Sequence, residues 1–208
     1  DRIFAVSDET AGVFAGVYPE CQQKLSVFHN LIDTETIRQK ALLPAEKAMH
    51  EGIRLLTVGR LTPQKGFDCA VYALKLLLEK QYPVYWDIIG EGPEYGRLTQ
   101  FDQSLHVEDH FIFLGMQTNP YPYFKMADFY IHATRFEGKS IAIQEAQVLG
   151  CAIAASDCSG NREQIVSGVD GLLCPFSPEG IANAVEYLIE HPQPAESFGR
   201  AAAQKACY

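Results

Sequence analysis

No stretch of this 208-residue chain approaches the run of about 18 apolar residues that a membrane-crossing helix needs. It also has no surplus of positive charge: 17 lysines and arginines stand against 26 aspartates and glutamates, a formal net charge of −9. That balance argues against a nucleic-acid groove or a direct contact with an anionic membrane face, because both need clustered cations. No C-x-x-C pair occurs among the six cysteines, so reduced thiols in a cytoplasmic protein fit better than a disulfide framework. The phosphate-cradling G-x-x-x-x-G-K-S/T loop is missing, which excludes a P-loop. So is the D-x-D triplet that bridges a metal to a diphosphate, Asp157 being followed by Cys158. Any phosphate site must therefore be local, metal-independent and built on side-chain cations. No signal peptide is visible; the chain starts at DRIFAVS without Met and stops at KACY, and reads as a fragment.

What is present is alternation. From Ile53 onward, short β-rich runs alternate with helical patterns: IRLLTVG with DCAVYALKLLLEK, VYWDIIG with PEYGRLTQFDQSL, FIFLG with NPYPYFKMA, FYIHA with SIAIQEAQVL, AIAAS with NREQIVSG, and GLLCP with PEGIANAVEYLIEH. Near-continuous apolar strands separated by helices predict an α/β fold, a Rossmann-like doubly wound parallel sheet covered on both faces. Residues 1–45 read instead as strand, helix, strand and a polar helical piece ending at Pro44, one βαβ unit too small to bury a core alone. The expected division is this unit, closing a preceding domain, over 1–45 and a ligand-binding domain over 46–208, with the boundary between 43 and 51. Ligands in such sheets bind beyond the carboxyl ends of the strands, where Gly59, Gly90, Gly115 and Gly138 fall.

The most informative segment is TRFEGKSIAIQEAQVLG, with Glu137 in a glycine-containing turn and Glu145 eight positions on, inside an amphipathic run. A helix beginning near Ser140 points its first free N–H groups back at the turn, where an anion would be held. Glu145 then lies roughly 7 Å along the axis, at about 1.5 Å per residue, a distance suited to a ribose attached to that phosphate. The loop GRLTPQKGF supplies two cations, Arg60 and Lys65, ahead of a helix starting near Phe67, a placement that suits a diphosphate.

Other motifs carry less. Gly90, Gly92 and Gly96 resemble a dinucleotide fingerprint, but their spacing is G-x-G-x-x-x-G and the next strand ends without the acidic residue that would hold a ribose. His106 and His110 lack a third metal ligand and read as solvated surface residues. His132 fits either a satisfied core position or a bond to substrate. Tyr121, Tyr123 and Phe124 could shelter a base, though packing explains them as well.

With these residues in order, the chain resembles the retaining glycosyltransferases of family 4, whose GT-B architecture uses nucleotide sugars. SVFHNLID is similar to the linker before the second domain, VGRLTPQKGFD to the phosphate loop, IIGEGPE and FLG to the next strand ends, EGKSIAIQEA to the E-x7-E motif, and GCAIAASDCSGNREQIVSGVDGLLCP to the region after that motif. The resemblance implies that this chain is the C-terminal, donor-binding half of such an enzyme. It implies Arg60 and Lys65 on the diphosphate, Glu137 on the donor-sugar hydroxyls and Glu145 on the ribose. The Ser140 and Ile141 N–H groups would hold phosphates, Gly59 and Gly90 would line the donor site, and the loop from Gly115 through Met116 would contact the base. The implied partners are a nucleotide-sugar donor, UDP ahead of GDP, and an acceptor glycan or lipid-linked sugar held by the preceding domain. No cofactor or metal is implied. The setting is cell-surface polysaccharide or glycolipid synthesis, cytoplasmic or peripheral at the inner membrane face. Two positions depart from the family: Lys139, where an apolar residue is common, and Asn161, where glycine is common. The rivals are a sugar-nucleotide epimerase of the same architecture, a non-catalytic sugar-nucleotide-binding module and, last, a dinucleotide-dependent dehydrogenase.

Overall fold

The structure, a computed structural model, describes residues 1–46 and 50–206. Cys207 and residues 47–49 of the expected linker lie outside the described residues. Strands β1 (Ile3–Ala5) and β2 (Leu25–Val27) pair in parallel on either side of helix α1 (Asp8–Val17) and form a small sheet of their own. Helix α2 (Thr34–Lys40) follows, opened by Asp33, whose carboxylate accepts from the Thr36 N–H at 3.0 Å.

The remaining strands are β3 (Ile53–Val58), β4 (Val84–Ile89), β5 (Phe111–Gly115), β6 (Phe129–His132), β7 (Ala152–Ser156) and β8 (Leu172–Cys174). They form one parallel sheet in the order β5-β4-β3-β6-β7-β8. Between them run α3 (Phe67–Glu79), α4 (Tyr95–Ser104), α5 (Tyr121–Met126), α6 (Ile141–Val148) and α7 (Ser159–Arg162), and after β8 come α8 (Pro178–Glu190) and α9 (Pro192–Lys205). Adjacent strand residues face opposite sides of a pleat. Leu55 accordingly packs with Trp86, Leu74 and Val185 on one side, and Leu56 with Tyr130, Phe124 and Ile143 on the other. Helices thus cover both faces, the doubly wound arrangement that the alternation predicts.

Two elements differ from the sequence reading. The helix expected over NREQIVSG begins earlier, at Ser159, and ends at Arg162, because Asn161 is fully buried and its amide donates to the Ser156 carbonyl at 2.8 Å. Asn161 is therefore a structural anchor at the end of β7. Helix α9 is an addition, lying beyond PEGIANAVEYLIEH, the last helical run read from the sequence; Pro192 opens it, where its missing N–H is no loss. Ala195, Phe198, Gly199 and Ala202 then bury one stripe.

The sheet order places the crevice. The chain winds outward from β3 in one direction and from β6 in the other, so their carboxyl ends part to form a switch point. The loops flanking it, after β3 and after β6, are those that carry Lys65 and Glu137.

Strand pairing continues beyond the strands themselves. Gly59 N–H donates to the Ile89 carbonyl, Leu61 N–H to Glu91 and Gly90 N–H to Gly115, at 2.9, 2.9 and 3.0 Å. Gly90 has φ of +143°, and a Cβ there would collide with the Gly59 carbonyl oxygen. Its glycine is thus required by backbone crossing backbone. Gly90→Ala is expected to lower the unfolding free energy by roughly 1–3 kcal/mol from the backbone conformation alone, with the Gly59 collision adding to it. Gly96, which has no neighbour within 4 Å of its Cβ position, should tolerate alanine within about 0.5 kcal/mol. Denaturant titration of the two variants checks this, and equal stabilities would contradict it.

Candidate active site

Glu137 is the centre of the charged cluster at the switch point. The β6 strand ends at His132 and the chain turns through Arg135, Phe136 and Gly138 before α6 begins, so Glu137 projects over the strand ends with its side chain only 12% exposed. Lys65, in the short 3₁₀ turn Pro63–Lys65, forms an ion pair with Glu137 Oε2. His132 Nε2 lies 3.3 Å from the same oxygen, and its Nδ1 3.2 Å from the Tyr130 hydroxyl. Burial pushes the Glu137 carboxyl up, but the hydrogen bonds from His132 and Lys65, with the Lys65 charge, outweigh it and hold the group at about 2. An ionised carboxylate only accepts, so the His132 proton sits on Nε2 and Nδ1 accepts from Tyr130. Burial also holds the His132 ring below its ordinary value, against the pull of Glu137. His132 is thus both a buried core residue and a direct partner of the turn.

The two cations expected to act together come apart. Lys65 is turned inward to Glu137, whereas Arg60 is exposed and its guanidinium makes no hydrogen bond or ion pair among the described residues. Glu145 lies partly buried in α6, and its Oε1 accepts from the Tyr121 hydroxyl at 3.0 Å. Burial raises the Glu145 carboxyl and the Tyr121 bond opposes that; burial and the nearby Glu145 push the Tyr121 hydroxyl up to about 12. Tyr121 therefore partners the carboxylate, while Tyr123 and Phe124 are core.

Helix α6 is capped by Ser140, whose hydroxyl accepts from the Ile143 N–H at 3.4 Å. Of the two N–H groups expected to face a phosphate, that of Ser140 is taken by Gln164 Oε1 at 2.7 Å, while Gln164 Nε2 donates back to the Ser140 carbonyl at 2.8 Å. The Ile141 N–H makes no hydrogen bond among the described residues. Ser156, at the end of β7, places its hydroxyl 3.0 Å from the Thr134 N–H and 2.5 Å from the Thr134 carbonyl. Gly160 packs so tightly under the turn that a Cβ would collide with the Glu137 and Gly138 carbonyls. Gln164, Ser156 and Gly160 were not singled out from the sequence for this role, and only the stretch from β7 onward, which they share, pointed toward them.

Gly90, Glu91, Gly92, Tyr95, Phe113 and Gly115 line a cavity of about 490 Å³ past the ends of β4 and β5. Met116 stands exposed beside it. The amine of Lys139 lies 3.1 Å from His29 Nδ1, so it reaches the N-terminal unit. His110 is not a solvated residue as expected: it stacks on Tyr85 with ring centroids 4.6 Å apart and its Nδ1 lies 2.8 Å from the Val84 carbonyl. Among the described residues no cluster of three or more His, Cys, Asp or Glu could hold a metal ion, and no helix is long and apolar enough to cross a membrane.

Residues 35–205 match the family model described as glycosyl transferases group 1. The chain belongs to that family. Among the relatives of this group 1 glycosyltransferase is the N-acetylgalactosamine-N,N'-diacetylbacillosaminyl-diphospho-undecaprenol 4-alpha-N-acetylgalactosaminyltransferase of Campylobacter jejuni. It is 32% identical over 158 residues, which cover 76% of this chain and 42% of that protein. The amylovoran biosynthesis glycosyltransferase AmsK of Erwinia amylovora is 29% identical over 73% of this chain and 38% of its own length. The group 1 chain thus spans less than half the length of these relatives. Anabaena HepE, solved in complex with UDP, superposes with a TM-score of 0.82 at 21% identity, covering 99% of this chain and 58% of that one. That likeness shows the fold, the GT-B architecture that the motifs implied.

The Glu137 cluster makes a pH prediction for this family member. The folded state holds His132 below its ordinary value, so its contribution is complete above about pH 6.5 and is lost as pH falls, when the unfolded chain takes the proton first. Relative to His132→Asn, the native protein should therefore lose part of its advantage in Tm between about pH 7 and pH 5. A Tm difference that stays constant across that window would contradict it.

Proposed function

We propose that this chain is the donor-binding half of a retaining glycosyltransferase that moves a hexosyl unit from a nucleoside diphosphate sugar, UDP ahead of GDP, to an acceptor hydroxyl. The convergence of Lys65, Glu137 and His132 at the switch point carries the reading. On this reading residues 46–208 bind the donor, and residues 1–45 close the domain that holds the acceptor.

Breaking the glycosidic bond to a diphosphate develops negative charge on the departing oxygen, and groups already aimed at that charge stabilise the transition state more than the ground state. Lys65 supplies one such charge, Arg60 a second, and the Ile141 N–H at the start of α6 a neutral donor. The ionised Glu137 accepts from sugar hydroxyls and orients the ring while the leaving phosphate assists attack from the same face, so no enzyme nucleophile is required. Glu145, one oxygen already held by Tyr121, offers the other to the ribose, each charge-assisted bond contributing on the order of 1.5–3 kcal/mol. The base would enter the cavity beside Gly115. The solved complex of HepE with UDP supports the choice of base. The Campylobacter relative's name contains a diphospho-undecaprenol-linked sugar and AmsK is named for amylovoran biosynthesis, which supports a lipid-linked or polysaccharide acceptor met at the cytoplasmic membrane face. Two cations on the loop after β3, Arg60 and Lys65, with no D-x-D triplet, support a metal-independent site.

Calorimetric titration with UDP, GDP and ADP, with and without EDTA, tests this. UDP should bind with an affinity that EDTA leaves unchanged and that Glu145→Ala weakens about tenfold or more. Binding of none of the three, or of ADP alone, would overturn the reading. In the full-length protein Lys65→Ala should lower turnover by roughly a hundredfold when assayed well below the variant's own Tm, and unaltered turnover would remove Lys65 from the chemistry.

A further inference from the structure

Lys65 and Glu137 stand on loops 72 residues apart in sequence, and a lysine side chain alone is too flexible to fix their separation. Arg135 is placed to do so. Its guanidinium forks onto Asp68, Nη1 to Oδ1 at 3.0 Å and Nη2 to Oδ2 at 2.7 Å, and Nη1 also donates to the Pro63 carbonyl at 2.6 Å. The same group lies 5.0 Å over the Phe176 ring, and the Arg135 backbone N–H donates to the Gln64 carbonyl at 2.9 Å.

Every hydrogen bond that Arg135 makes here therefore ends on the Lys65 loop or the first turn of α3. The residues on either side extend the seam: Gln64 Nε2 donates to the Phe136 carbonyl at 2.9 Å, and the Thr134 hydroxyl lies 3.0 Å from both the Gln64 and Phe136 carbonyls. Gln64 precedes Lys65, and Arg135 stands two positions before Glu137. Phe176 and the Ala133 carbonyl close the space over Gly66, whose φ of +61° turns the loop into α3. Two loops that meet through a planar, two-pronged ion pair are held in orientation as well as distance, which a single-point contact does not achieve.

We propose that Arg135, through its fork on Asp68, is a positioning residue for transfer, setting the separation between Lys65 and Glu137 and so aligning the diphosphate with the donor sugar. The inference rests on the donor-site reading above. Arg135 itself touches neither Lys65 nor Glu137, so nucleotide affinity is not its concern, whereas alignment of the reacting groups is. A displacement of about 1 Å at such a distance from the chemistry can cost on the order of a hundredfold in rate.

Steady-state kinetics of Arg135→Lys, Asp68→Asn and the Arg135→Lys/Asp68→Asn double variant in the full-length protein test it, with UDP titration alongside. We expect kcat to fall ten- to a hundredfold in each while KM for the donor and the affinity for UDP stay within about twofold. Lysine should not rescue, and the double variant should be no slower than the slower single variant. In 15N spectra of the ring nitrogens, the single Nε2–H tautomer of His132, fixed by Glu137, should become a mixture in Arg135→Lys. Full turnover in Arg135→Lys, or a lower Tm with kcat and the His132 signals unchanged, would overturn the positioning role. If the unmodified protein binds no nucleotide, the donor-site reading falls and this inference with it; normal binding and turnover in the unmodified protein separate the two failures.

Discussion

A carboxylate can be held against the carboxyl edge of a buried parallel sheet only if something neutralises it, and at Glu137 that is the Lys65 amine together with the His132 ring. Burial alone would push the carboxyl upward, yet it ends at about 2 because two donors converge on one oxygen. The rest of the site answers to that requirement. His132 must end β6 with Tyr130 behind it, and Lys65 must turn back from its 3₁₀ turn to cross the switch point. Gly160 must lack a side chain, because the carbonyls of the Glu137 turn occupy that space. The topology supplies the gap between β3 and β6, and the ion pair closes it.

The parts of this arrangement that are local in sequence could be read from sequence. Near-continuous apolar runs such as FYIHA and AIAAS gave away buried parallel strands, and the eight-residue step from Glu137 to Glu145 placed one carboxylate in a turn and the other on a helix. The family could be read too, through motifs in a fixed order. What stayed hidden were commitments between distant residues. Nothing near Ser140 says that its N–H is spoken for by Gln164, 24 positions on, and nothing near Arg135 names Asp68, 67 positions back. Helix α9 lay beyond the last alternation read from the sequence, and the burial of Ala195, Phe198 and Ala202 shows that Pro192 starts a helix.

The glycines illustrate how one signal can have two causes. Their crowding at strand ends suggested close backbone approach to a ligand, and close approach is what the structure contains, but at Gly90 the approaching group is the Gly59 carbonyl. The Gly59 and Gly90 N–H groups are likewise spent on Ile89 and Gly115. Pairing that runs past the ends of β3, β4 and β5 makes a rigid rim of what would otherwise be loose loops. A rim of that kind is the prerequisite for placing side chains accurately, since the side chains inherit the precision of the backbone that carries them.

The contrast between the two cations follows from the same logic. Arg60 is exposed and its guanidinium has no partner among the described residues, so it is free to turn toward an incoming anion. Lys65 is the opposite case, because its side chain is mostly covered and its amine is oriented by Glu137. Under the proposed function, a diphosphate would share that amine with Glu137 without displacing a full shell of water from it, and the reorganisation needed as charge develops would be small. Arg60 would then govern capture of the donor, whereas Lys65 would govern the chemical step, so loss of Arg60 should register first in donor affinity and loss of Lys65 in turnover.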